Sequence, residues 1–123
     1  MNNEDEAIFL ESSKVKEGVV CDVYKYKNDD SKDLGIVTVL KGHQTPRQKI
    51  LKGLKTLEIF KSGKGELSVI RESGASRVYT FPGDVFEVEL HTGDVMQWSA
   101  YEDLVFHEVC YPPYEEGRFI NLE

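Results

Sequence analysis

Residues 54–71, LKTLEIFKSGKGELSVIR, hold two short runs, Leu54 to Lys61 and Gly65 to Arg71, on either side of Ser62-Gly-Lys-Gly65. Runs of this length, rich in Leu, Ile, Val and Phe and parted by a glycine-bearing turn, read as two strands of a hairpin. The same grammar extends in both directions. Further runs are Val19 to Lys27, Leu34 to Lys41, Arg77 to Phe81, Val85 to Leu90, Val95 to Trp98 and Leu104 to Cys110. Between them lie Asn28-Asp-Asp-Ser31, Glu72-Ser-Gly-Ala-Ser76, Pro82-Gly-Asp84, Thr92-Gly-Asp94 and Pro112-Pro113, where glycine supplies positive φ and proline lacks a ladder donor. Arg47 to Leu57 comes nearest to a helical apolar period, but Gly53 interrupts it, so helix is expected to be scarce. Eight or more strands with hairpin-sized connections predict an antiparallel sandwich, jelly roll or small barrel and disfavour a parallel α/β sheet.

The chain has 123 residues, 40% of them hydrophobic, which is the size of one domain able to bury its own core. We expect a single domain over 1–123, with residues 1–7 as a flexible arm. Two cysteines are too few for a disulfide scaffold, so Cys21 and Cys110 are expected to stay thiols. No apolar stretch approaches the roughly 20 residues of a membrane span, and the acidic opening does not read as a signal or transit peptide. The expected location is cytoplasmic, with no membrane partner. Ser62-Gly-Lys-Gly65 lacks the spacing of a phosphate loop. Gly83-Asp-Val85 and Gly93-Asp-Val95 repeat each other at two strand entries and read as turns.

From Gly42 through Glu58 to Gly65, and from Gly93 to Pro113, the chain resembles the cupin family of small β-barrels. Glu58-x6-Gly65 reproduces the second half of that family's first motif, G-x5-H-x-H-x3,4-E-x6-G. Gly93 with Asp94 opens its second, G-x5-P-x-G-x2-H-x3-N, and Glu108-Val-Cys-Tyr-Pro-Pro113 is similar to the segment that closes many cupin barrels. The resemblance implies an all-β, cupin-type double-stranded β-helix or jelly-roll barrel, its core over about residues 34–122. The motif histidines are missing. The H-x-H positions fall at Leu51 and Gly53 or at Lys52 and Leu54, and the second motif's Pro, Gly and His positions hold Ser99, Tyr101 and Leu104. A transition metal needs several converging imidazoles, thiolates or carboxylates, which Glu58 alone cannot supply, so no metal and no cofactor are expected. His43, His91 and His107 lie outside the family positions and read as ordinary histidines. His107 and Cys110, three apart on one strand, point to opposite faces, which argues against a nucleophile pair.

Charge is unevenly distributed. Lys41 to Lys64 carries seven basic residues against Glu58 alone, while the chain as a whole has a net charge of −7. Such a segment either steers an anion toward one rim, with Arg47 and Lys49 as candidate contacts, or balances an acidic body across a subunit contact. The acidic total excludes nucleic acid as the expected partner.

Within the strands, Glu58 shares a face with Thr56 and Phe60, and Glu108 with Leu104, Phe106 and Cys110. If the Phe106 face points inward, Glu108 joins Glu58 inside, and two carboxylates in one cavity push at least one pKa up. The alternative is a single buried carboxylate paired with arginine or backbone donors. Gln97 and Trp98 end the strand that leads to the expected barrel mouth, where they either hold a planar or sugar-like ligand or plug the opening. Arg118 reads as a tail contact. The candidate binding residues are therefore Glu58, Glu108, Gln97, Trp98, Arg47 and Lys49.

Three functions fit these residues. The first is a metal-free cupin that binds a small polar or anionic ligand, such as a sugar, sugar phosphate or carboxylate. The second is a metal-independent enzyme resembling the sugar-nucleotide isomerases and epimerases of this barrel, with His107 or Tyr101 beside a carboxylate. The third is a structural or regulatory homodimer. Binding is the first choice, and a homodimer is the expected assembly.

Overall fold

A computed structural model describes residues 6–122. Among them there is no helix, and none is therefore long and apolar enough to cross a membrane. The eleven strands in chain order are β1 (Ala7–Lys16), β2 (Val19–Tyr26), β3 (Asp29–Val39), β4 (Gln48–Ile50), β5 (Lys55–Ser62), β6 (Gly65–Ile70), β7 (Ser76–Phe81), β8 (Glu87–Leu90), β9 (Val95–Ala100), β10 (Leu104–Tyr111) and β11 (Phe119–Asn121). They form two antiparallel sheets in the orders β1-β2-β3-β10-β5-β8 and β11-β4-β9-β6-β7.

The eight expected runs all become strands, with ends shifted by a few residues. Three strands come from segments not read as such. β4 occupies part of the Arg47 to Leu57 segment, and β11 is a three-residue strand anchored to β4 by Phe119 opposite Ile50. β1 begins inside the stretch expected to be an arm. Residues 1–5 lie outside the described residues, but from Ala7 the chain pairs with β2 along its whole length. Every residue of β1 is exposed, so no buried face could reveal the strand in the sequence.

Alternation sorts the larger sheet into two faces. Val19, Val37, Val39, Val88, Leu90, Leu104 and Phe106 point into one core with Leu67, Val69, Met96 and Phe81 of the smaller sheet. Four aromatic rings form a column between the sheets. Phe60 stacks on Phe81 at 5.0 Å, Phe81 on Trp98 at 5.2 Å, and Trp98 on Phe106 at 4.3 Å between centroids. Trp98 is 1% exposed, and burial of a ring this size contributes roughly 2–3 kcal/mol.

Arg118 overturns its reading as a tail contact. It is 1% exposed, and its guanidinium donates to the carbonyls of Pro112 (2.8 Å), Lys55 (2.7 Å) and Tyr111 (3.1 Å) and to the Thr56 hydroxyl (3.3 Å). It thus ties the start of β5 to the end of β10. The plane rests on Gly53 (φ 109°), where a Cβ would stand 2.5 Å from the guanidinium carbon. Only glycine fits beneath it. Arg118→Met keeps most of the apolar stem but leaves these acceptors without a donor. It is expected to destabilise the fold by about 2–4 kcal/mol, read from the urea unfolding midpoint.

Candidate functional site

The inward rows of the larger sheet define the site. In register, Val23, Gly35, Glu108, Glu58 and Val88 form one row across five strands. The adjacent rows are Cys21, Val37, Phe106 and Phe60 on one side, and Asp33, Cys110, Thr56 and Leu90 on the other. The Phe106 face is therefore the inner one. The two glutamates are direct cross-strand neighbours, a relation that depends on how β5 and β10 pair.

A cavity of about 940 Å³ opens over this sheet, with Glu108, Cys110, Cys21, Gly35, Val37 and Phe106 among its lining. Gly35 makes room for it in mid-strand. A Cβ there would meet Cys21 Sγ at 3.1 Å and the Glu108 carbonyl at 3.7 Å. β1 lines one side through Leu10, Glu11, Ser13, Lys14 and Val15, while Tyr114, Phe119 and Ile120 line another. Lys14, Lys25 and Lys32 are the cavity's basic groups.

Glu58 lies behind Glu108 and is wholly buried. Trp98 Nε1–H donates to Glu58 Oε1 at 2.7 Å. Glu58 Oε2 has no hydrogen-bond partner, and Glu108 stands directly across from Glu58 on β10. Two carboxyls this close in a buried setting favour the state in which one proton is shared between them. Burial first, and then the Glu108 charge, raise the Glu58 pKa well above the usual carboxylate range. Burial also raises Glu108, against the hydrogen bond with Glu58. Asp33 is raised by burial too, although the backbone N–H of Tyr114 donates to it at 2.9 Å. Burial thus disfavours the charged form of each carboxyl at the floor. Cys21 and Cys110 are free, and burial pushes the Cys21 thiol up to about 12, which makes it a poor nucleophile at neutral pH.

The other candidates lie elsewhere. Trp98 is not at a mouth: it sits mid-strand within the aromatic column and fills the interior. Gln97 points to the opposite face of β9, where its side-chain N–H donates to the Thr45 carbonyl at 2.9 Å. Lys49 is exposed on β4 between Ile120 and Val95, and Arg47 is half-buried just before that strand. None of the seven basic residues from Lys41 to Lys64 lines the cavity. Among them, Lys52 pairs with Glu115 at 3.2 Å and Lys55 lies 4.8 Å over the Tyr111 ring. Tyr101 is 52% exposed, and His107 faces away from the cavity. Asp94 of the repeated Gly-Asp-Val is a turn residue, accepting from Arg71 at 2.8 Å and from the His91 backbone at 2.9 Å. Sequence reasoning missed Gly35, Asp33 and Cys21. The isolated glycine within a strand pattern was the available signal for the first.

The two-sheet antiparallel arrangement with its interior carboxyls is a cupin-type jelly-roll barrel. Solved structures share it. An oxalate decarboxylase from Lactobacillus farciminis matches with a TM-score of 0.75 and 17% identity over 92% of this chain and 33% of that one. The capsular polysaccharide assembling protein CapF from Staphylococcus aureus matches with a TM-score of 0.71 and 14% identity over 96% of this chain and 32% of that one. SPY1581, a protein of unknown function from Streptococcus pyogenes, matches with a TM-score of 0.57 and 13% identity over 79% and 76%. The chain thus spans about a third of the length of the first two. No family model and no curated protein matches the sequence.

The residues at the cupin metal positions do not fit a metal. Leu51, Lys52, Gly53 and Leu54 form an exposed link between β4 and β5, and Leu104 is fully buried in the apolar core. Glu58 is committed to Trp98 and Glu108. Among the described residues no three His, Cys, Asp or Glu side chains gather to hold an ion.

Both glutamates bind a proton more tightly in the folded chain than in the unfolded one. Above about pH 4 the folded state therefore carries more protons, and stability falls as pH rises from there. Glu58→Gln retains an oxygen for the Trp98 indole and removes one titrating group, so it is expected to flatten that fall. Urea midpoints of both proteins at about pH 5 and about pH 8 measure the slope. An unchanged slope would rule out the shared proton.

Proposed function

We propose that this chain is a metal-free binding module that takes a small polar ligand into the cavity over the larger sheet. The observation that carries this reading is the Glu108 carboxyl, set at the floor of a 940 Å³ space and backed by Glu58. A carboxyl pair sharing one proton both donates and accepts, which suits neighbouring hydroxyls of a sugar. A bare phosphate or carboxylate is disfavoured beside Glu108 and Asp33. An anionic end, as in a sugar phosphate, finds its counter-charge in Lys25, on the same side of β2 as Cys21 and Val23.

A second reading has one observation in its favour. Two coupled carboxyls with raised pKa values are the equipment of a general acid and base, so a metal-independent sugar isomerase or epimerase is the enzymatic form of the same site. Of the pair only Glu108 lines the cavity, and His107 and Tyr101 stand outside it.

A thermal-shift screen of sugars, sugar phosphates and dicarboxylates tests the binding reading, since a ligand that binds only the native state raises the melting temperature. Glu108→Gln is expected to weaken the best ligand by roughly 10- to 100-fold, the cost of one charge-assisted hydrogen bond. Unchanged affinity removes Glu108 from the site, and turnover of the ligand favours the enzyme. Purified protein is expected to hold well under one equivalent of Mn, Fe, Ni or Zn by elemental analysis. A stoichiometric metal contradicts the metal-free assignment.

A further inference from the structure

One inward row of the larger sheet shows how the cavity is shaped. In register across β1, β2, β3, β10, β5 and β8 it reads Glu11, Val23, Gly35, Glu108, Glu58 and Val88. Exposure falls steadily along it. Glu11 is exposed, Val23, Gly35 and Glu108 are half-buried, and Glu58 and Val88 are buried, at 0% and 4%. The flanking rows are closed where this one is open, with Val37 and Phe106 buried on one side and Asp33 and Cys110 on the other. The cavity is therefore a trough above the Gly35 row, blind behind Glu108 and open over β1.

Given the sugar-binding reading, on which this rests, we propose that the trough takes the terminal unit of an oligosaccharide, with that unit at Glu108 and the rest of the chain leaving over Val23 and Glu11. Three strand spacings of about 4.8 Å place Glu11 roughly 14 Å from Glu108, further than one sugar ring reaches. The volume of 940 Å³ lies toward the upper end of the range of about 300–1,000 Å³ for sites that enclose a drug-sized molecule, so a single ring leaves most of it unused. The blind end makes the contact a terminal one. Behind Glu108 the row continues into Glu58, wholly buried and bonded to the Trp98 indole, and a chain has no second exit along it.

The outer half of the trough has its own groups for further rings. Glu11 offers acceptors, Lys25 offers donors, and the Ser13 hydroxyl offers both. All three line the cavity, Ser13 opposite Cys21 and Lys25 two residues beyond Val23 on the same side of β2. Val23 and Leu10, also in the lining, present apolar surface to the C–H faces of the rings. Gly35 keeps the passage between the two halves clear, because it adds no side chain to the row.

Titration calorimetry with glucose, xylose, N-acetylglucosamine and the linear oligomers of each tests it. In the series that binds, the trimer is expected to bind roughly 10-fold or more tightly than the monomer. Glu11→Ala, at an exposed position on the edge strand, is expected to reduce that ratio several-fold. Glu108→Gln is expected to weaken monomer and trimer alike and to leave the ratio standing. A soluble polymer of the same sugar is expected to bind one protein per chain. A trimer that binds no better than the monomer overturns the terminal-unit proposal while leaving sugar binding in place. So does a ratio that Glu11→Ala does not move, or a polymer that carries several proteins per chain. If no sugar of any length binds, the sugar-binding reading itself falls and takes this proposal with it.

Discussion

Two carboxyl groups set side by side on neighbouring strands, Glu58 wholly buried and Glu108 at the floor of the cavity, cannot both be ionised at modest cost. The pairing of β5 with β10 imposes this condition, because it sets Glu58 opposite Glu108 on the inward face. The resolution is local. The Trp98 indole satisfies one oxygen of Glu58, and protonation, which burial and the neighbouring Glu108 both favour, removes the charge from the other. The indole can do this only because the ring is fixed in the column of Phe60, Phe81 and Phe106. The core and the site are therefore one structure. The rings that bind the sheets together also orient the carboxyl behind the cavity floor.

Arg118 is the second buried charge, and its placement answers the first. Its positive field lowers the pKa values of Glu108 and Asp33, though not by enough to offset burial. Its hydrogen bonds are made chiefly to backbone carbonyls at strand ends, so it acts as a clasp rather than as a salt-bridge partner. The acids at the floor thus keep hydrogen-bonding capacity that a direct ion pair with Arg118 would consume. A carboxylate fully paired to arginine would have little capacity left for hydroxyl groups.

The strand content was legible because each inward face alternates with a less buried one and each turn carries Gly, Pro, Asn or Asp. β1 broke that rule by exposing both faces, and β4 and β11 were too short to show a period. The charge pattern misled for a physical reason. The seven basic residues of the Lys41 to Lys64 segment are adjacent in sequence, but the strands and links that carry them turn most of the side chains toward solvent. The cations that do line the cavity, Lys14, Lys25 and Lys32, come from the N-terminal strands. Arg118 looked like a tail residue because nothing local marks a glycine 65 positions earlier as the floor beneath it.

The sequence by itself determined the class of fold, the placement of Glu58 and Glu108 on faces shared with Phe60 and Phe106, and the loss of histidines from the cupin metal positions. These follow from periodicity and residue type, which are local properties of the chain. Tertiary structure alone decided that the two glutamates are neighbours and that Trp98 lies inside rather than at a mouth. Those are consequences of strand register. Register is fixed when all the strands bury their inward faces together, and no single segment carries that information.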